Sequence, residues 1–169
     1  MIMIVVALLS VLLPLVHLTM SKVPRTRARV IRLLLIYALV LDVGLIGFVF
    51  GFIPHIFFAD ATAKSIGWPP GSPFQFEVGF HDGAWGLLGF LCLRIRGSFW
   101  TATGLGWSFF MLGATYIHVS QTVREGNYAP YNFLTMFSDG FIVVWLVALL
   151  YLYHRRGVSQ DQDQTRQSE

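Results

Sequence analysis

Residues 33–53 read LLLIYALVLDVGLIGFVFGFI, an apolar run with one ionisable side chain, Asp42, and no proline. As a helix it is roughly 32 Å long at 1.5 Å per residue, which matches a hydrocarbon core of about 30 Å. A run of this length and polarity is a membrane span. Within it Gly44, Gly47 and Gly51 recur at helical spacing. Rows of small residues let helix backbones approach closely in lipid, where no hydrophobic gain drives association.

The surroundings of this run extend the reading to the whole chain. Only 12% of the 169 residues are charged, 55% are hydrophobic and the mean hydropathy is +0.62, whereas ordinary globular domains carry about 25% charged residues. The net charge of +3 and pI near 9.3 do not point to nucleic acid. Ten of the twelve basic residues flank apolar runs: Lys22, Arg25, Arg27, Arg29 and Arg32; Arg94 and Arg96; Arg155, Arg156 and Arg166. The positive-inside rule puts these three groups in the cytoplasm. The other connections carry Lys64 and Arg124 alone. Alternation then gives an all-α polytopic bundle of five transmembrane helices, N-terminus outside and C-terminus inside, in the inner membrane of a prokaryote.

The spans expected are about 1–20, 33–53, 73–95, 98–119 and 131–153, in one domain over 1–156 with a disordered cytoplasmic tail at 157–169. The first contains Pro14 and His17; with no basic leader and no small-x-small cleavage site it reads as a helix rather than a signal peptide. Residues 54–70 form the larger external connection, in which Ala59 to Ile66 predicts an interfacial helix stopped by Gly67. Phe57, Phe58 and Trp68 suit the interface. Ser72-Pro73-Phe74-Gln75 is a start signal with an N-cap serine, a proline at the first helical position and a glutamine three after the cap. The single cysteine, Cys92, leaves no disulfide framework and no thiolate cluster.

Ionisable residues inside a membrane are costly, so each is a site hypothesis. Glu77 lies roughly 6 Å into the third helix, with His81 one turn deeper on the same face. Opposite them are Gly79, Gly83 and Gly86, so both faces read as packed, with the helix central. His118 ends the fourth helix beside Tyr116, and Asp139 follows Asn132 and Thr135 on one stripe of the fifth. Three helices thus present polar residues to one layer, a pocket in the outer leaflet roofed by residues 68–73.

Several chemistries fit this set. Glu77, His81, His118 and Asp139 are ligand types that suit Fe, Mn or Zn. His81 and His118 would be the axial ligands of a haem b. An acid, a histidine and Tyr116 among aromatic walls suit a quinone head group, and proton-coupled transport uses the same groups. The plain structural alternative pairs Glu77 with His118 or His81 and holds Asp139 on Asn132; the protein is then a non-catalytic accessory subunit, or a homo-oligomer, docking partners through its Gly-rich faces. Asp42, at mid-membrane, is either a packing residue or a proton relay, and it is the only acid near the depth of His17. His55 and His154 sit at membrane boundaries, where histidine needs no special role.

The stretch Gly67-Trp68-Pro69-Pro70-Gly71-Ser72-Pro73-Phe74-Gln75-Phe76-Glu77-Val78-Gly79 resembles a family of small prokaryotic membrane proteins classed as a domain of unknown function, whose hallmark is Ser-Pro-Phe-Gln-x-Glu-x-Gly at a helix start with a later histidine and aspartate. The resemblance spans roughly residues 35 to 153. It implies Gln75, Glu77, His118 and Asp139 as the shared polar set, with His81-Asp82 and the first span as departures from the pattern. The architecture also resembles, more loosely, the four-helix DoxX group, some of which are quinone-linked oxidoreductase subunits. What these residues jointly predict is a membrane protein that binds a small ligand or metal ion and exchanges protons with it, in redox chemistry or transport.

Overall fold

The computed structural model describes residues 2–155, which are helical with no strand among them; the tail expected to be disordered lies outside the described residues. Helix α1 (Ile2–Met20) buries Val6, Ala7, Ser10, Pro14 and Leu18 on one stripe and turns Leu8, Leu12 and Leu15 outward. An apolar helix that exposes leucines has lipid as its solvent. Its His17 meets the Tyr37 hydroxyl at 3.1 Å, not Asp42.

Helix α2 (Arg27–Phe57) is capped by Thr26, whose Oγ1 accepts from the Arg29 N–H. From Leu39 to Phe52 it takes π-type i→i+5 bonding, continued where the Ile53 N–H donates to the Phe48 carbonyl. Such windings are rare and usually confined to single turns near functional sites. Phe58, at φ −134°, breaks the helix and α3 (Ala59–Ile66) follows with the bounds read from sequence. Gly67, at φ 83°, ends α3: its N–H bonds the Lys64 carbonyl and the Trp68 N–H bonds that of Ala63, a left-handed stop that an L side chain resists.

Helix α4 (Phe74–Leu91) starts one residue later than expected, with Pro73 at the cap position and Ser72 Oγ accepting from the Phe74 N–H, and it ends four residues short of the expected span. It packs on α2 through the two glycine rows. A Cβ on Gly47 would lie 2.8 Å from the Asp82 carbonyl oxygen, and one on Gly86 would lie 2.5 Å from the Phe48 nitrogen. The rows therefore face each other inside the chain. Both rows are occupied by this contact within the chain.

Helices α5 (Ser98–Glu125) and α6 (Pro130–Arg155) pair antiparallel and extend beyond the expected spans, most at the C-terminal end of α5. The core between them and α2 contains Leu35, Leu39, Val43, Trp107, Ile142 and Leu146. Three helices, Ile2–Met20, Arg27–Phe57 and Pro130–Arg155, are long and apolar enough to cross a membrane.

Candidate functional site

The polar centre is built at the end of the bundle that carries α3. Thr122, Asn127 and Asn132 tie the end of α5 to the start of α6, and their bonds dictate one another. Asn132 Nδ2 reaches the Asn127 carbonyl at 2.8 Å and Thr122 Oγ1 at 2.9 Å. A carbonyl only accepts, so this atom is the amide nitrogen, and Thr122, which donates to the His118 carbonyl at 2.9 Å, accepts from it. Asn132 Oδ1 then faces His118 Nδ1 at 2.8 Å, and this ring nitrogen must carry the proton. In the neutral ring Nε2 is consequently bare, and it lies 3.9 Å from Asp139 Oδ2.

That separation is too long for a hydrogen bond. Asp139 is almost fully buried, and its other oxygen is 3.4 Å from Ser138 Oγ. Trp68 lies over His118 with ring planes 17° apart and centroids 6.4 Å apart, held by a 2.8 Å bond from its Nε1 to Gln121 Oε1.

A second histidine–aspartate pair sits on α4. His81 Nε2 accepts from Trp85 Nε1 at 3.0 Å, which leaves the proton of the neutral ring on Nδ1, 3.8 Å from Asp82 Oδ1. The His81 side chain is 42% exposed and that of Asp82 only 8%. Trp85 is seated over Gly106 of α5, and Phe110 lies 4.2 Å from the His81 ring, centroid to centroid. Asp82 and Asp139 are close enough to interact electrostatically, as are Asp82 and His55. The result is two His–Asp pairs within electrostatic range of each other, His81–Asp82 at the flank of the bundle and Asp139–His118 in its interior, together the row His81–Asp82–Asp139–His118.

Several expected site residues stand elsewhere. Glu77 is exposed and Tyr116 is 62% exposed. Gln75 is buried, but its Oε1 meets His55 Nδ1 at 2.6 Å instead of capping α4. Thr135 spends its hydroxyl on the Tyr131 carbonyl one turn back. The Fe, Mn or Zn quartet Glu77, His81, His118 and Asp139 is not assembled: Glu77 faces outward, and no three His, Cys, Asp or Glu among the described residues converge to hold a metal ion. Asp42 is fully buried with both oxygens unpartnered, apart from the row.

The expectation that both faces of α4 are packed also fails. Its glycine face is buried and the face of Glu77 and His81 is the open one. Asp82 was passed over, yet it lies three residues after Gly79 and four before Gly86, on the packed face. His55, dismissed as a boundary residue, continues the row Gly47, Gly51 by four and is buried.

Residues 1–159 match the family described as "Family of unknown function (DUF6790)", and the chain belongs to it. The match includes α1, so the first helix is part of the family pattern rather than an addition to it. No curated protein and no solved structure matches the chain.

Proposed function

We propose that this is a five-span protein of a prokaryotic inner membrane, N-terminus outside, that exchanges protons with a small lipid-soluble ligand along the row His81–Asp82–Asp139–His118. The quinone head group is the chemistry that fits best. The observation that carries this reading is the pair of His–Asp approaches, 3.8 and 3.9 Å, with both carboxyls buried. An imidazole at near-bonding distance from a buried carboxyl supplies the group types that general acid–base exchange uses. His81 opens the row to the lipid-facing flank between Trp85 and Phe110, so a planar ligand arriving within the bilayer meets aromatic surfaces and an imidazole together.

The orientation rests on charge. The end of the bundle holding Lys22, Arg25, Arg27, Arg29, Arg32, Arg94, Arg96 and Arg155 has no acidic residue among the described ones, whereas Asp60, Glu77 and Glu125 lie at the other. Helices α4 and α5 supply the two remaining spans, at 18 and 28 residues. A reporter fused after Glu169 is expected to be active only when it reads the cytoplasm; periplasmic activity overturns the topology.

The ligand reading is tested with a short-chain benzoquinone titrated into protein reconstituted in nanodiscs, followed by tryptophan fluorescence. Saturable quenching is expected, weakened about tenfold or more by His81→Ala, while Asp139→Asn leaves binding intact and slows the proton uptake seen with a pH dye when an electrode supplies the two electrons that convert the bound quinone to quinol. Absence of saturation, or binding indifferent to His81→Ala, overturns it.

A further inference from the structure

At the opposite, basic end of the bundle a cavity of about 600 Å³ opens between the start of α2, the α4–α5 connection and the first turn of α5. Arg29, Arg32 and Arg96 line it together with Leu33, Ile36 and Trp100. We propose that this cavity is a binding site for one acidic phospholipid, the phosphate held by the three arginines and the upper acyl chain laid along the apolar wall. The inference is independent of the proton row and requires only that the chain lies in a bilayer.

The argument starts with register. Arg29, Arg32, Leu33 and Ile36 follow one another at three- and four-residue spacing, so they form a single stripe of α2 that is cationic at the helix start and apolar one turn further in. That polarity profile is the profile of a phospholipid and not of a free anion, which has no use for the apolar half. Arg29 is oriented by bonds from its guanidinium to Ser21 Oγ at 2.8 Å and the Pro24 carbonyl. The wall is built: Trp100 is buried and its Nε1 donates to the Cys92 carbonyl at 2.8 Å, which fixes the α4–α5 connection carrying Arg96. Basic recesses between membrane helices recognise anionic headgroups on these grounds.

The test is native mass spectrometry of the full chain in detergent, titrated with dioleoylphosphatidylglycerol, dioleoylphosphatidylcholine or inorganic phosphate. One tightly held phosphatidylglycerol is expected. The triple variant Arg29→Gln, Arg32→Gln, Arg96→Gln should lose roughly 100-fold in affinity, at about fivefold per arginine near a membrane surface. The control Lys22→Gln, Arg27→Gln, Arg94→Gln removes the same charge from exposed positions outside the cavity and should change affinity by less than about threefold. Arg96→Gln alone, in a connection where folding is not at risk, should cost about fivefold. Equal losses in the two triple variants, phosphatidylcholine bound as tightly, or inorganic phosphate binding as well as the lipid each overturn the proposal.

Discussion

Replacing Gly86 by alanine adds one methyl group at the closest approach of α4 to α2, and the structure shows what it meets. The new Cβ falls 2.5 Å from the Phe48 nitrogen, 2.7 Å from its Cβ and 2.9 Å from its Cα. These are atoms at the backbone of the opposing helix, so no side-chain rotation relieves the overlap and the helices must separate along their length. Overpacking of this kind costs about 1–3 kcal/mol, against which alanine regains about 1 kcal/mol of helix propensity. The net expectation is destabilisation by up to about 2 kcal/mol. Gly113 supplies the contrast, because it is exposed on α5 and a Cβ there meets nothing within 4 Å. At Gly113 only the propensity gain of about 1 kcal/mol operates. The same chemical change should therefore act with opposite signs at two helical glycines. Thermal unfolding of the detergent-solubilised variants, followed by tryptophan fluorescence, reads both, and a Gly86→Ala protein as stable as Gly113→Ala would refute the glycine-mediated packing of α2 on α4.

Three further outcomes follow from the site. Asn132→Ala should destabilise by about 1–3 kcal/mol, because it leaves the His118 N–H unpaired in a part-buried setting while the Asn127 carbonyl keeps Thr122 Oγ1; nitrogen NMR of labelled histidine should show His118 protonated on Nδ1 in the parent and a mixed tautomer in the variant. Trp68→Phe keeps an aromatic ring over His118 but loses the bond to Gln121, for an expected cost of about 1 kcal/mol in the same unfolding assay. Gly67→Ala should cost more, about 1–2 kcal/mol for the left-handed backbone with further loss because the new methyl group collides with Asn127; a variant unfolding with the parent would contradict the placement of the α3 stop.

How much of this was legible differs by residue, for a physical reason. Rows of small residues state which face of a helix packs, and Gly44, Gly47, Gly51 and Gly79, Gly83, Gly86 were readable in that way, though not that they pack on each other. The stripe Asn132–Asp139 and His118 was readable from helix register and depth. Asn127 was not, because its role depends on joining Ile66 and Gln121, pieces far apart in the chain. Composition also gave no sign of the π-type stretch, since apolar residues satisfy i→i+4 and i→i+5 bonding alike. The choice of Glu77 and His81 as the buried pair followed their i,i+4 spacing, a rule about neighbours on one helix that says nothing about which face meets another helix.

Asp82 shows the better rule. In lipid, helices associate where small residues permit close approach, and a carboxyl is sheltered from lipid at the same places. Asp82 shares its face with Gly79, Gly83 and Gly86, its carbonyl oxygen lies where a Cβ on Gly47 would fall, and its side chain lies where a Cβ on Gly51 would fall. The contact that holds α4 to α2 is therefore the contact that positions the interior acid of the row. A side chain at Gly51 would displace the Asp82 carboxyl directly, so substitution there should disturb proton exchange and helix packing together, whereas Glu77, on the open face, can change without touching either.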